Sequence, residues 1–236
     1  MKKKLALWVL GLSLAWAAPA FATGTTIDFG SPNTINGDNA TFTFDSHTIT
    51  AMGFECTDNT LGSCSTNGVM LSTKDDGDGE TGLGIVGGPH GDNEIESNSF
   101  IQLDFSQLAS LGITSLTLQI QSVQTGEGFR LFQSSTAGMP GTPMLTVTGN
   151  GSNNPSSVVT TTVAVNFAAN AFIDISALNS NAVNNDVLLE SGSMPTPSNP
   201  GSGGPTPTPE PATLALFGTG LLALGFAMRR YTAHSA

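Results

Sequence analysis

The central part of this chain, residues 23–194, reads as all-β, an antiparallel, jelly-roll-like sandwich, and three observations predict it. Turn-forming residues punctuate it every eight to twelve positions. Between them stand short runs in which apolar and polar residues alternate, the period that buries one face of a strand. No segment of it holds a helical period for eleven residues.

Taken in order, the alternating runs are Thr41 to Phe44, His47 to Ala51, Ile101 to Phe105 and Leu116 to Ile120. Phe129 to Phe132, Met144 to Val147, Val158 to Val165, Phe172 to Ile175 and Val187 to Leu189 continue them. Thr, Val, Ile and Phe dominate these runs and suit a pleated, half-buried surface. Ser106 to Leu111 has room for a single helical turn. About nine or ten short strands without an internal repeat point to a sandwich. At roughly 170 residues the body is one domain with a sizeable core of its own.

The two ends read differently. Met1-Lys2-Lys3-Lys4 followed by the uncharged run Leu5 to Ala17, then Ala20-Phe21-Ala22, is a signal peptide over residues 1–22. Residues 195–208 are almost wholly Pro, Gly, Ser and Thr, a spacer that cannot bury apolar surface. Residues 209–236 begin Pro209-Glu210-Pro211 and continue through the uncharged apolar run 212–228 to a basic tail, 229–236, opened by Arg229-Arg230. A run of that length is near the lower limit for a membrane-spanning helix, and its arginines hold that end in the cytoplasm.

This C-terminal segment resembles the PEP-CTERM sorting signal, with its Pro-Glu-Pro motif, hydrophobic helix and short basic tail in order. The resemblance implies processing by an exosortase, a membrane protease-transferase, in a biofilm- or exopolysaccharide-forming, Gram-negative-type bacterium. The chain would pass through an inner-membrane-anchored intermediate to the cell surface or extracellular matrix. A softer resemblance joins Gly82 to Val86, Asp92 to Glu96, Ile101 to Phe105, Gly128 to Phe132, Ser134 to Gly138 and a later strand ending Val187-Leu188-Leu189. These look like the bodies of many PEP-CTERM surface proteins, which are similar to galactose-binding-like sandwiches used in carbohydrate attachment.

Charge narrows the partners. Of seven Lys and Arg only Lys74 and Arg130 fall in the body, against seventeen of the eighteen acids, a net of −15. Such a surface repels nucleic acid and anionic lipid headgroups and suits cations or neutral sugars. The partners expected are an exosortase, exopolysaccharide, and the membrane through the C-terminal helix before processing.

Cys56 and Cys64 are the only cysteines. In an exported body they predict a disulfide stapling a surface loop, contributing about 2.5 kcal/mol by chain entropy. The chemical candidate is the acidic segment. Asp76, Asp78 and Glu80 recur at every second residue, and so do Asp92, Glu94 and Glu96. In extended chain each triplet projects its carboxylates to one side. Two such triplets brought together would suit calcium, the one cofactor the sequence suggests; a solvated acidic loop is the alternative. Catalysis finds no motif: there is no Gly-x-Ser-x-Gly elbow and no His-Glu-x-x-His pair. Trp8 and Trp16 lie in the leader and Tyr231 in the tail, so the body has no Trp or Tyr platform for stacking sugars. The expectation is a non-catalytic surface or matrix protein, with a calcium-dependent carbohydrate-binding module as the alternative and a secreted polysaccharide hydrolase ranked behind both.

Overall fold

The computed structural model describes residues 24–65, 67–75, 79–87, 91–149, 154–178 and 185–196. The expected signal peptide, most of the spacer, the sorting segment and the acidic residues Asp76 and Asp78 lie outside them.

Fourteen strands and a 3₁₀ turn are described. They are β1 (Thr25–Asp28), β2 (Thr34–Asn36), β3 (Asn39–Phe44), β4 (His47–Glu55), β5 (Leu71–Asp75), β6 (Thr81–Ile85) and β7 (Ile95–Glu96). Then come β8 (Ser99–Asp104), the 3₁₀ turn (Ser106–Leu111), β9 (Ser115–Gln121), β10 (Gly128–Ser134) and β11 (Thr142–Thr148). β12 (Val159–Ala164), β13 (Phe172–Ala177) and β14 (Asp186–Met194) complete the order.

The strands form two seven-stranded sheets, with antiparallel pairing throughout. The front sheet runs β11-β10-β13-β8-β4-β3-β2. The back sheet runs β12-β9-β14-β6-β5, with β1 and β7 also pairing β14. Every alternating run of the sequence overlaps a strand, the runs Ile101–Phe105 and Val158–Val165 passing its ends by one residue, and Ser106–Leu111 makes the expected turn. Strands β1, β2, β5, β6 and β7 come in addition.

Local chemistry explains the joints. β3 and β4 meet through Asp45 and Ser46, both with positive φ (44° and 67°), flanked by the pair Phe44↔His47. Positive φ at both central residues is the two-residue turn whose twist matches a hairpin. The inward residues of both sheets form the main core, with Phe29, Phe42, Phe105, Phe129, Leu118 and Ile175 among them. Phe29 meets Phe42 edge-on at 4.9 Å, and Phe105 stacks on Phe167 at 4.6 Å.

The outer face of the front sheet is not simply solvated. Phe54 of β4, Phe100 of β8 and Phe132 of β10 gather there with Cys56 and Leu61 into a second apolar cluster. Phe54 and Phe100 stack at 5.0 Å. The disulfide Cys56–Cys64 is formed and closes the loop that brings Leu61 over these rings. Arg130 of β10 fastens the same region: its guanidinium lies 5.7 Å from the centre of the Phe132 ring. Its Nη2 donates to the carbonyls of Asn59, Ser97 and Ala177 and to Ser176 Oγ. Burial holds this guanidinium below its ordinary pKa. On the back sheet, Thr162 and Thr117 share a hydroxyl hydrogen bond of 2.8 Å across β12 and β9.

Candidate functional site

Of the acidic segment, the described acids Glu80, Asp92 and Glu94 gather at the β5–β6 edge of the back sheet. Lys74 on β5 and Gly82 on β6 are cross-strand partners, which frees space for the lysine side chain. Lys74 Nζ donates to Glu80 Oε2 at 2.6 Å and to Glu94 Oε1. One acid from each triplet is therefore brought to the same ammonium. Glu80 also accepts from Ser122 Oγ at 3.0 Å. Gln121 ties the neighbouring loop, donating to the Gly79 carbonyl and accepting from the Thr81 amide.

Asn93 has φ of 62°, so the second triplet bends as it crosses Gly84. Glycine is required there: a Cβ on Gly84 would lie 1.9 Å from the Asn93 carbonyl oxygen. Glu94 is 3 % exposed and hydrogen-bonds Asp186 at the start of β14 as well as Lys74. Asp92 stands beside the same Asp186 and its charge raises it further, and Glu96 stands opposite Asp186 in the β7–β14 register. Two carboxyls hydrogen-bond only when one keeps its proton. Asp186 is that one: burial, reinforced by Glu94 and then Asp92, pushes it up to about 10. Burial raises Glu94 too, against the pull of Lys74. The ammonium itself is pulled down by burial, yet its bonds to Glu80 and Glu94 outweigh this and hold it above its usual value. Glu127, raised by burial, adds its field from the turn before β10.

Chemically this is a desolvated carboxyl cluster neutralised by one lysine and by retained protons. Among the described residues no group of three or more acids, histidines or cysteines is arranged to hold a metal ion. The space between Glu80 and Glu94 is taken by Lys74. Asp92 Oδ1 and Glu94 Oε2 are buried without a donor from amide, hydroxyl or ammonium. The sequence reading missed Lys74 and Asp186. Lys74 had a signal, as one of only two body cations beside the acidic run. Asp186 had little, since a lone acid before Val187-Leu188-Leu189 looks like a strand end.

The second feature is a cleft of about 640 Å³ beside the disulfide. Glu55, Thr57, Ser63, Ser65 and Asn67 supply its polar lining, with the disulfide and Val69 as apolar contacts. The backbone bond from the Thr57 amide to the Ser63 carbonyl braces one wall. Of the histidines, His47 is on β4 and bonds the Asp45 carbonyl; His90 and His234 lie outside the described residues.

Set against known proteins, the fold is a two-sheet all-β sandwich similar to carbohydrate-binding modules. A family 6 carbohydrate-binding module aligns at 13 % identity over 73 % of this chain and 93 % of its own, with a TM-score of 0.33. The xylan-binding CBM22-1 domain of Paenibacillus barcinonensis Xyn10C aligns at 9 % identity over 76 % of this chain and 98 % of its own, TM-score 0.36. CBM6cm-2 of Cellvibrio mixtus lichenase 5A, solved with cellotriose, aligns at 12 % over 73 % and 96 %, TM-score 0.30. No curated protein matches the chain. Residues 207–230 match the PEP-CTERM protein-sorting motif. The motif implies an exported protein that is membrane-anchored before processing. The segment expected to span the membrane lies outside the described residues, among which no helix is long and apolar enough to cross one.

Proposed function

We propose that this chain is an exported, exosortase-sorted, non-catalytic surface or matrix protein that associates with the exopolysaccharide of a biofilm. The sorting motif at residues 207–230 carries the reading. The disulfide-walled cleft supports it, since hydroxyls, an amide and one carboxylate are the groups that meet sugar hydroxyls. The mature protein from its native host is expected to lack the residues beyond about Pro211. An intact mass that retains Arg229 and Arg230 would instead make the segment a permanent anchor.

The test of function is binding of the mature protein to the producing organism's exopolysaccharide, in calcium and again in chelator. Binding in both supports a matrix role without a metal. Binding lost in chelator selects the second reading, a calcium-dependent module. Absence in both rejects the polysaccharide. The calcium reading rests on the alternating acids of the sequence, Asp76, Asp78, Glu80, Asp92, Glu94 and Glu96, and Lys74 between Glu80 and Glu94 weighs against it. Asp76→Asn with Asp78→Asn should then abolish any calcium-induced rise in Tm; an unchanged rise removes that site.

A further inference from the structure

Asp174 belongs to neither feature above. It sits on β13 with its side chain on the outer face of the front sheet, yet it is 0 % exposed. What covers it is the connection between β10 and β11. Residues 135–141 do not stay at the sheet edge; they fold back across β13 and β8 as far as β4. Gly138 N donates to Gln102 Oε1 on β8 at 2.8 Å, and Gly138 lies against the Phe54 ring of β4. Only glycine serves there: its φ is +72°, and a Cβ would meet Phe54 at 3.2 Å.

Three side chains hold this strap. Gln102 Nε2 donates to Asp174 Oδ1 at 2.7 Å and to the Thr136 carbonyl at 3.3 Å. Asp174 Oδ2 accepts from the Gly141 amide at 3.3 Å. Ser134 Oγ accepts from the Thr136 amide and also bonds its carbonyl. The strap thus hangs from one carboxyl, one carboxamide and one hydroxyl rather than from a strand ladder.

The surroundings offer that carboxyl no counter-charge. β8 carries Asp104, opposite Phe172, and β10 carries Arg130, opposite Ser176. Arg130 is turned to Asn59, Ser97, Ser176 and Ala177. β4 carries His47 and Glu55 at its two ends, and residues 135–141 bear no charge. Among the described residues, Asp174 makes no ion pair. An ionised carboxylate in a dry site with two N–H donors and no cation is costly, and water reaches this one most easily by lifting the strap.

The geometry points to a proton-controlled strap: residues 135–141 are latched over the front sheet while Asp174 is protonated and are released when it ionises. Release uncovers Gln102 and the edge of the Phe54 ring. Burial, opposed by Gln102 and Gly141, holds Asp174 at about 7. In the open state the carboxyl returns toward its ordinary value of 3.8. Linkage then makes opening easier as pH rises between those two values and constant above them.

Amide hydrogen exchange over pH 4 to 8 in the full chain, corrected for the intrinsic rate, tests this at Gly138 and Gly141. Protection should fall between pH 4 and 7, by up to about tenfold per unit, and level off above. Asp174→Asn should remove the pH dependence, whereas Asp104→Asn, an acid on the same face, should keep it. Corrected protection that is flat in the wild type, or a slope that survives in Asp174→Asn, overturns the proposal. If Asp174→Asn does not fold, the ¹³C carboxyl resonance of Asp174 in the wild-type chain replaces it. A titration midpoint near 7 supports the latch, and a carboxyl that titrates near 4 overturns it.

Discussion

Lys74 shows how one residue decides what a charge run becomes. Six alternating acids suggested calcium because their carboxylates would converge, and two of them do converge, on an ammonium from β5. Removing that ammonium leaves Glu80 and Glu94 buried together. Lys74→Met should therefore destabilise the body by about 3–5 kcal/mol in denaturant titration, the size seen when one partner of a buried pair is lost. Adding Glu80→Gln and Glu94→Gln should recover much of this loss. A Lys74→Met protein as stable as the wild type would mean the cluster is hydrated. Gly84→Ala tests the same cluster from below, because its methyl would press on the Asn93 carbonyl and displace Glu94.

At the scale of elements, legibility followed burial. β3, β8, β9 and β13 alternate clearly because one face meets the core, so period two was visible in Thr41 to Phe44 and Ile101 to Phe105. β1, β2 and β5 are short, largely exposed and rich in Thr. β6 reads Thr-Gly-Leu-Gly-Ile, a run in which glycines make room for neighbours rather than mark turns. The turn at Asp45-Ser46 lacks the usual Asn-Gly signature, so the two flanking runs were legible as strands while their pairing as a hairpin came from the fold. The disulfide was legible from cysteine number and export alone. Its role as a roof was not, because Phe54, Phe100 and Phe132 are far apart in sequence and meet only through the sheet. Phe100→Ala should cost about 3–5 kcal/mol despite lying outside the main core. Cys56→Ser with Cys64→Ser should cost about 2.5 kcal/mol by loop entropy. Equilibrium unfolding of each variant measures both, and a Phe100→Ala loss below about 1 kcal/mol would reduce the second cluster to surface packing.

For the whole molecule, the pattern of carboxyl shifts sets a direction. Asp174, Glu94, Glu127, Asp186 and Glu190 are all raised, with burial the first cause in each. A raised carboxyl means that the native state binds the proton more tightly than the unfolded chain. Its contribution to stability is complete below the unfolded pKa and is lost as pH climbs through the folded one. For Asp174 the window runs from about 4 to about 7, and the shift corresponds to roughly 4 kcal/mol. Tm should accordingly be higher near pH 5 than near pH 8, and Asp174→Asn should narrow that gap. The body's net charge of −15 acts the same way, so added salt should raise Tm more at pH 8 than at pH 5. A Tm that rises steadily from pH 5 to pH 8 would contradict this account.

The roof over Phe54 and Phe100 also bears on when the body can finish folding. A thiol pair stays reduced in the cytoplasm, so before translocation the loop carrying Leu61 is unclosed and the stacked rings lack their staple. The nascent chain would then present a sticky aromatic patch, the kind of surface that chaperones hold and an export channel can thread. Oxidation on the far side would close the loop and shed those chaperones, making the disulfide a signal of arrival as well as a brace. Pulse-labelled chain trapped inside the cell should be digested by protease around residues 54–64, whereas exported chain should resist until a reductant is added.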